Sequence, residues 1–371
     1  MKLLVFLSLA TAVLAKRSKA PPPLEPTMTV VEHISDLRVI ALLLGVILCL
    51  TMVLVPAQLS KHFATRHTYV VALAINVIAV SLPGRFDGSE DILTSPPWPT
   101  LFNPAGFAFA IWGVIYLGEL VGTVSVLRSE PSAVAVASSP AWLAANCGQA
   151  LWCLSFRQWA LTRMWLSSLC LIVTAACLYR AQRDLHAAAR APSPAVAWPR
   201  SLHLGWVTAA SLVNANAWVG LGSPGTGIAC AAAILSVVVA ALAGAGYAAR
   251  GLPAACLAVA WAINAVGLGE PVGPDARMLG DAALAGIALA ERSTAVLLVG
   301  VAALSASVAD RIGARNDDAQ ENSHRIRHHV LIQLKAGSSD AVVDLILEHL
   351  RTLPAKIEQI KNMEARHPHP P

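Results

Sequence analysis

The sequence WPTLFNPAGFAFAIWGVIYLGE, residues 98–119, is the stretch that says most about the fold of this chain. It begins as a proline-rich loop and becomes a long apolar helix, because Pro104 suits a first helical turn, where its missing N–H is not needed. From Pro104 to Leu127 the only charged residue is Glu119. Helical spacing brings three rings and this carboxyl group onto one face: Phe109, Trp112, Tyr116 and Glu119. The pattern predicts a ligand site on that face.

The composition is typical of a polytopic membrane protein. Of the 371 residues, 56% are hydrophobic and only 13% are charged, whereas soluble domains carry roughly 25% charge. Several apolar runs reach the ~20 residues needed to cross a bilayer. We therefore predict an all-α bundle of about eight transmembrane helices within residues 38–310. The net charge of +5 is spread over loops, which indicates membrane topology and predicts no nucleic-acid partner.

The two ends of the chain differ from this apolar part. Residues 1–15 have the basic start, apolar run and small-residue site of a signal peptide, and residues 16–37 are predicted to be a linker. After a polar linker at 311–325, residues 326–366 predict a small α+β appendage. Its pattern is a strand from Arg327, an amphipathic helix that Pro354 ends, and a second strand from Ile357, a β-α-β order of ferredoxin-like type.

Polar residues and cysteines within the apolar runs have structural interpretations. Asn76 lies in a short apolar run, where an interhelical hydrogen bond is the favoured role. The seven cysteines lie in or beside apolar runs and have no metal-ligand spacing, so we predict buried free thiols and no metal site.

Three segments resemble the tryptophan-rich TspO/MBR (translocator protein) family, in its longer multi-helix form. The run from Pro104 to Tyr116 is similar to that family's second helix. Gln149 stands three residues before Trp152, where the third helix of the family has an asparagine. The fifth helix is matched in register by Trp206, Val207, Ala210, Asn214 and Trp218. The resemblance covers residues 69–222 well and the later helices more loosely.

This resemblance implies an integral membrane receptor or translocator with an aromatic intramembrane pocket. A planar apolar ligand of the tetrapyrrole or sterol class, such as a porphyrin or heme, would stack on Trp98, Trp112, Trp152, Trp206 and Trp218. Asn214, Asn76 and Gln149 would bind its polar edge. No cofactor is required, and a homodimer is expected from the family. Glu119 has two open interpretations, a functional group in the membrane or a partner of a polar neighbour.

The C-terminal residues 326–366 resemble a second, different family. Residues 326–366 are similar to the first half of a stress-responsive α/β-barrel (Dabb) domain, through matches that include His328, Lys335, Pro354 and Lys361. Half of such a fold would leave strand edges unpaired. The segment would then need a partner, or the sequence is truncated there.

Two other functions stay open. A transporter of another small molecule would be expected to show internal repeats or paired broken helices, and neither is evident. A membrane-tethered module of Dabb type, related to cyclases, would use His328 as an acid or base. Because no phosphate loop, nucleophile elbow or paired carboxylates are present, we expect a binding protein and no enzyme. The predicted location is a membrane, multi-pass, either an endomembrane or a plastid membrane.

Overall fold

The computed structural model describes seven ranges of the chain: residues 28–54, 65–88, 96–128, 133–188, 192–223, 225–323 and 340–356. Within these ranges the protein is almost entirely helical and forms no strand. Two compact units are present, residues 1–312 and residues 313–371. The predicted signal peptide lies outside the described ranges.

Ten α-helices occur in the described ranges. They are α1 (Met28–Leu54), α2 (Arg66–Ser81), α3 (Ile111–Arg128), α4 (Ala133–Ser155), α5 (Met164–Ala188), α6 (Pro194–Leu221), α7 (Thr226–Ala249), α8 (Pro253–Val266), α9 (Pro274–Ser323) and α10 (Asp340–Lys356). Three short 3₁₀ turns connect some of them: Phe86–Gly88, Gly106–Ala110 and Gln158–Arg163. A glycine with φ of +71°, Gly280, kinks α9 near its start.

Local chemistry explains where several helices begin. The Thr65 hydroxyl caps α2 by accepting a hydrogen bond from the Thr68 backbone N–H at 3.3 Å. Pro194 and Pro253 occupy the first turns of α6 and α8, where a proline costs no hydrogen bond.

The predicted number of about eight spans is not confirmed. Among the residues that the structure describes, five helical segments are long and apolar enough to cross a membrane: Leu37–Leu54, Gly106–Arg128, Gln158–Ala187, Thr226–Ala249 and Pro274–Val308. Two further apolar helices, α2 and α8, are shorter. The helices α4 and α6 are long, at 23 and 28 residues, but are more polar. Their polar residues pack inside the bundle, where neighbouring helices can hydrogen-bond them.

The helix α6 lies at the centre of the first unit. It packs against α3, α5, α7 and α8, while α4 packs against α2 and α5. Small residues let these helices approach closely. A Cβ on Gly122 of α3 would lie 2.6 Å from the Ala195 carbonyl oxygen, and one on Gly205 of α6 would overlap the Ala255 carbonyl oxygen of α8. Small residues at such crossings are typical of helices packed in lipid.

Three loop predictions are corrected by the structure. The linker predicted at 16–37 overlaps α1, which begins at Met28. The polar linker predicted at 311–325 continues α9 to Ser323, because a polar sequence can extend a helix into water. The basic residues at 180–201 predict a loop, but α5 continues to Ala188 and α6 already begins at Pro194.

The second unit is described only at residues 313–323, the end of α9, and at α10. The predicted tail helix is present there as Asp340–Lys356, and it continues two residues past Pro354 instead of ending at it. A proline near a helix end breaks few hydrogen bonds, which explains this correction. Both predicted strands, and hence the α+β fold of residues 326–366, lie outside the described residues.

Buried polar and thiol groups follow the expectations closely. Asn76 of α2 donates a hydrogen bond of 2.9 Å from Nδ2 to Oδ1 of Asn146 on α4, which confirms the interhelical role. Such a bond contributes about 1 kcal/mol in a membrane. The seven cysteines are free thiols, five of them buried. Among the described residues, no cluster of three or more potential metal ligands occurs.

Candidate functional site

A cavity lies where α4, α6 and α8 meet the segment that connects α2 to α3. Its walls consist of Asp87, Pro96, Trp98, Phe102, Asn103, Pro104, Phe109, Trp152, Phe156, Trp206, Ala209, Ala210, Val213, Asn214, Ala262, Ile263 and Val266. Most of these residues are apolar or aromatic, as is usual for small-molecule sites.

Aromatic rings form two groups in this lining. In the first group, Trp152 stacks on Phe156 with centroids 5.1 Å apart. Trp98 lies 5.7 Å from Phe156, and Phe86 packs edge-on to both at 5.2 and 5.3 Å. In the second group, Phe109 meets Trp206 edge-on at 5.7 Å. These contacts hold the rings in fixed orientations, so the cavity presents preformed aromatic surfaces.

Three N–H groups of lining residues are buried without a partner in the described protein: Trp152 Nε1, Trp206 Nε1 and Asn214 Nδ2. A buried donor without a partner costs about 1–3 kcal/mol. A ligand with acceptor atoms at its edge would remove that cost. The donors therefore favour a ligand that combines an apolar body with carbonyl, hydroxyl or carboxylate oxygens.

One ion pair stands at the edge of the cavity. Arg85 Nε lies 2.8 Å from Asp87 Oδ1, and its Nη2 lies 3.2 Å from Oδ2. Burial by itself would lower the pKa of Arg85, but the hydrogen bond and charge of Asp87 raise this pKa above its ordinary value. The pair is therefore neutral overall. Arg85 also donates to the Val80 carbonyl, which ties the pair to the end of α2.

The segment 96–105, here called the strap, closes one side of the cavity. Thr100 and Val272 exchange two backbone hydrogen bonds of 2.8 Å. Asn103 Nδ2 donates to the Glu270 carbonyl at 3.0 Å, and the Ala105 N–H donates to the Ala265 carbonyl at 2.9 Å. The strap is thus fastened to α8 and to the loop between α8 and α9.

Five of the ten site residues predicted from sequence line this one cavity: Trp98, Phe109, Trp152, Trp206 and Asn214. Trp112 and Tyr116 do not line the cavity; their rings stack on each other with centroids 5.2 Å apart. The Trp112 ring also meets Trp206 edge-on at 6.0 Å, so it supports a lining residue without being one.

The other three predicted residues are elsewhere. Trp218 lies in the last turn of α6 and is 48% exposed, because four residues of helix carry it past the end of the cavity. Gln149 is buried in α4, with neither amide atom hydrogen-bonded within the described chain. Glu119 is bonded to His203 at 2.7 Å, so a polar neighbour is present, as one of its two interpretations required.

Sequence reasoning missed His203, Asp87 and the lining residues of α8. His203 was missed because residues 180–201 read as a basic loop, with the recognised helix segment beginning only at Leu204, whereas the helix begins at Pro194. The pair Ser193-Pro194 was the usable signal, since serine before a first-turn proline marks a helix start. No local pattern marks the residues of α8, which reach the cavity only through the bundle's packing.

The helical architecture and its apolar segments define an integral membrane protein. A family model described as TSPO-like protein matches residues 62–309, about two thirds of the chain, and the protein belongs to the TSPO-like family. The match includes α7, α8 and most of α9, and it ends before residues 326–366, whose resemblance to a Dabb domain gains no support from it. No curated protein and no solved structure matches the chain.

Proposed function

We propose that this protein is a membrane receptor or translocator that binds a planar hydrophobic small molecule, of the tetrapyrrole or sterol class, in the cavity between α4, α6 and α8. The observation that carries the proposal is the aromatic lining together with the three unpaired buried donors, Trp152 Nε1, Trp206 Nε1 and Asn214 Nδ2. Membership of the TSPO-like family supports a site at this place in the bundle.

The shape and chemistry of the lining favour a flat ligand. Fixed rings such as Trp152 and Trp206 offer faces and edges on which a planar apolar molecule gains contact area at little entropic cost. The unpaired donors would bind oxygen atoms at the ligand's rim. A porphyrin supplies such oxygens as carboxylates and a sterol supplies one as a hydroxyl, so both fit the donors.

The ligand's charge is not dictated by the cavity. Its one charged lining residue, Asp87, is neutralised by Arg85 within the bidentate pair. An anionic porphyrin would therefore meet no net negative charge, and a neutral sterol would leave no charge unpaired. Binding measurements with a porphyrin and with a sterol therefore decide between the two ligand classes.

Tryptophan fluorescence of the detergent-solubilised full chain tests the proposal. We expect saturable quenching by protoporphyrin IX or by a fluorescent sterol analogue in the micromolar range. The double variant Trp206→Ala/Asn214→Ala should bind the same ligand at least about tenfold more weakly, because it loses an aromatic contact and a donor. Binding by the variant should be followed through the ligand's own fluorescence, since the variant has fewer tryptophans.

Trp218→Ala is the matched control, because it also removes a tryptophan of α6 but one that is half exposed and outside the cavity. It should bind like wild type. Equal weakening by the control and the double variant, or no saturable binding of either ligand, would contradict the proposed site.

A further inference from the structure

Two arginines lie at one end of the bundle, where two membrane-spanning segments begin. Arg38 is the second residue of the segment Leu37–Leu54, and Arg157 directly precedes the segment Gln158–Ala187. The first of these segments belongs to α1, which packs against α4 and α5. The ends of spanning segments lie at the level of the lipid headgroups, where tryptophan and arginine side chains are at home.

Three side chains at this end are held next to one another. The Arg38 guanidinium lies over the Trp159 ring, with Cζ 5.4 Å from the ring centroid. Trp159 Nε1 donates a hydrogen bond of 3.1 Å to the Leu154 carbonyl, and Arg157 Nε donates one of 2.9 Å to the Cys153 carbonyl. These two carbonyls are neighbours at the end of α4. The indole and the second guanidinium therefore lie side by side, and we call the three residues the Arg38–Trp159–Arg157 cluster.

The guanidinium of Arg157 has a fixed position. Its Nη1 donates to the Pro83 carbonyl at 2.5 Å, so it joins the segment after α2 to the end of α4. Gly84 packs closely on it, because a Cβ there would lie 3.0 Å from Nη1. A guanidinium has five N–H groups, and those that the two backbone carbonyls leave unused can donate to a further acceptor.

The positive charges of the cluster are not offset by nearby acids. Within the described ranges, neither Arg38 nor Arg157 has a carboxylate within ion-pair distance. Asp87, on the neighbouring α2–α3 segment, is held by Arg85 in the bidentate pair. Because arginine stays protonated in proteins, the cluster carries two positive charges and favours an anionic partner.

Exposed apolar side chains adjoin the cluster on the membrane side. The helices α1 and α4 touch at Gly45, where a Cβ would lie 2.9 Å from the Leu151 side chain. Leu44 and Leu48 of α1 and Leu154 of α4 are exposed beside this contact. A partner at the cluster thus meets two guanidinium groups at the headgroup level and leucines within the spanning segment.

This combination of charge and apolar surface matches a phospholipid. Guanidinium groups bind phosphate through charge-assisted hydrogen bonds, and basic sites between transmembrane helices bind anionic headgroups. A free anion would contact the guanidinium groups without gaining the apolar contacts. None of the three residues lines the cavity, so a ligand bound there does not account for the cluster.

We propose that the Arg38–Trp159–Arg157 cluster binds the phosphate group of an anionic phospholipid, whose acyl chains lie against the exposed leucines of α1 and α4. Both guanidinium groups donate hydrogen bonds to the phosphate oxygens, and the Trp159 ring orients Arg38. The bound lipid joins the start of α1 to the turn between α4 and α5. This site is independent of the function proposed for the cavity.

Native mass spectrometry of the detergent-solubilised full chain tests the proposal. The protein is titrated with dioleoylphosphatidylglycerol and, separately, with dioleoylphosphatidylcholine, which has the same acyl chains and phosphate but no net charge. We expect the first phosphatidylglycerol to bind at least about tenfold more tightly than the first phosphatidylcholine, since each arginine near a membrane surface contributes about fivefold.

Substitutions locate the preference. R38Q should reduce it at least about threefold, and R38Q/R157Q should reduce it to less than about twofold. Arg38 is exposed, so R38Q should fold and melt like wild type. It decides the outcome if the double variant does not fold. The control R128Q removes an exposed arginine from the last residue of α3, outside the cluster, and should keep the wild-type preference.

A competition experiment separates a lipid site from a site for free anions. Inorganic phosphate in about hundredfold excess should leave the bound phosphatidylglycerol in place, because it lacks the apolar contacts. Displacement by phosphate would overturn the lipid assignment in favour of a free anion. Equal affinity for the two lipids, a preference that R38Q retains, or an equal loss in R128Q would overturn the proposed site.

Discussion

Gly205→Ala is expected to destabilise the protein by about 3 kcal/mol or more, a large effect for the addition of a single methyl group. The new Cβ would overlap the Ala255 carbonyl oxygen and would lie 2.8 Å from the Ala258 Cβ. Both neighbours belong to α8, and a backbone oxygen cannot rotate away. The helices α6 and α8 would have to separate, and the cavity wall that α8 supplies would separate with them.

Gly113→Ala is the matched control for this substitution. Gly113 is also inside a helix, α3, but a Cβ there would have no neighbour within 4 Å. The same change should stabilise or leave the protein unaffected, since alanine favours helix by about 1 kcal/mol over glycine. Thermal unfolding in detergent measures both variants. Equal stability of the two would contradict the close crossing of α6 and α8.

Glu119→Leu is expected to cost about 3–5 kcal/mol, because it removes one member of a fully buried, hydrogen-bonded pair and leaves His203 without the carboxylate. Replacing both members, as Glu119→Leu/His203→Leu, should be less destabilising than the sum of the two single variants by at least about 1 kcal/mol. The reason is that the double variant leaves no unpaired member of the pair.

Thermal unfolding in detergent of wild type, Glu119→Leu, His203→Leu and the double variant measures this coupling between the two side chains. Glu270→Leu is the control, because it removes a glutamate whose residue is exposed in the α8–α9 loop, and its effect should stay small. Strict additivity of Glu119→Leu and His203→Leu would show that the two side chains do not interact.

Much of the helical architecture could be predicted from the sequence. Long apolar runs predict α7, α8 and the α3 region, although the last begins as a 3₁₀ turn at Gly106 and Pro104 lies before it, outside the first helical turn. These signals are local, since each depends on neighbours within a few turns. Five of the ten predicted site residues line one cavity, but of the face that helical periodicity predicts, Phe109, Trp112, Tyr116 and Glu119, only Phe109 is among them.

The parts that could not be predicted depend on contacts between distant segments. Arg200 looks like a loop cation, and its burial is made favourable by groups from two other helices, the rings of Tyr69 and Trp142 and the Ser138 hydroxyl, to which it donates at 2.9 Å. The backbone hydrogen bonds between Thr100 and Val272 join residues far apart in sequence, so no local sequence pattern predicts them. Hydropathy also underestimates α6, since this central helix carries polar side chains that are buried inside the bundle.

The most direct test of the ligand site is to fill the cavity and leave its aromatic residues in place. Ala210→Phe would place a ring in the space beside Asn214, and Ala231→Phe, at an exposed position of α7, is the control. We predict that Ala210→Phe weakens binding of the porphyrin or sterol ligand at least about tenfold, with little change in thermal stability. Ala231→Phe should bind like wild type. Unchanged affinity of a folded Ala210→Phe protein would contradict binding in this cavity.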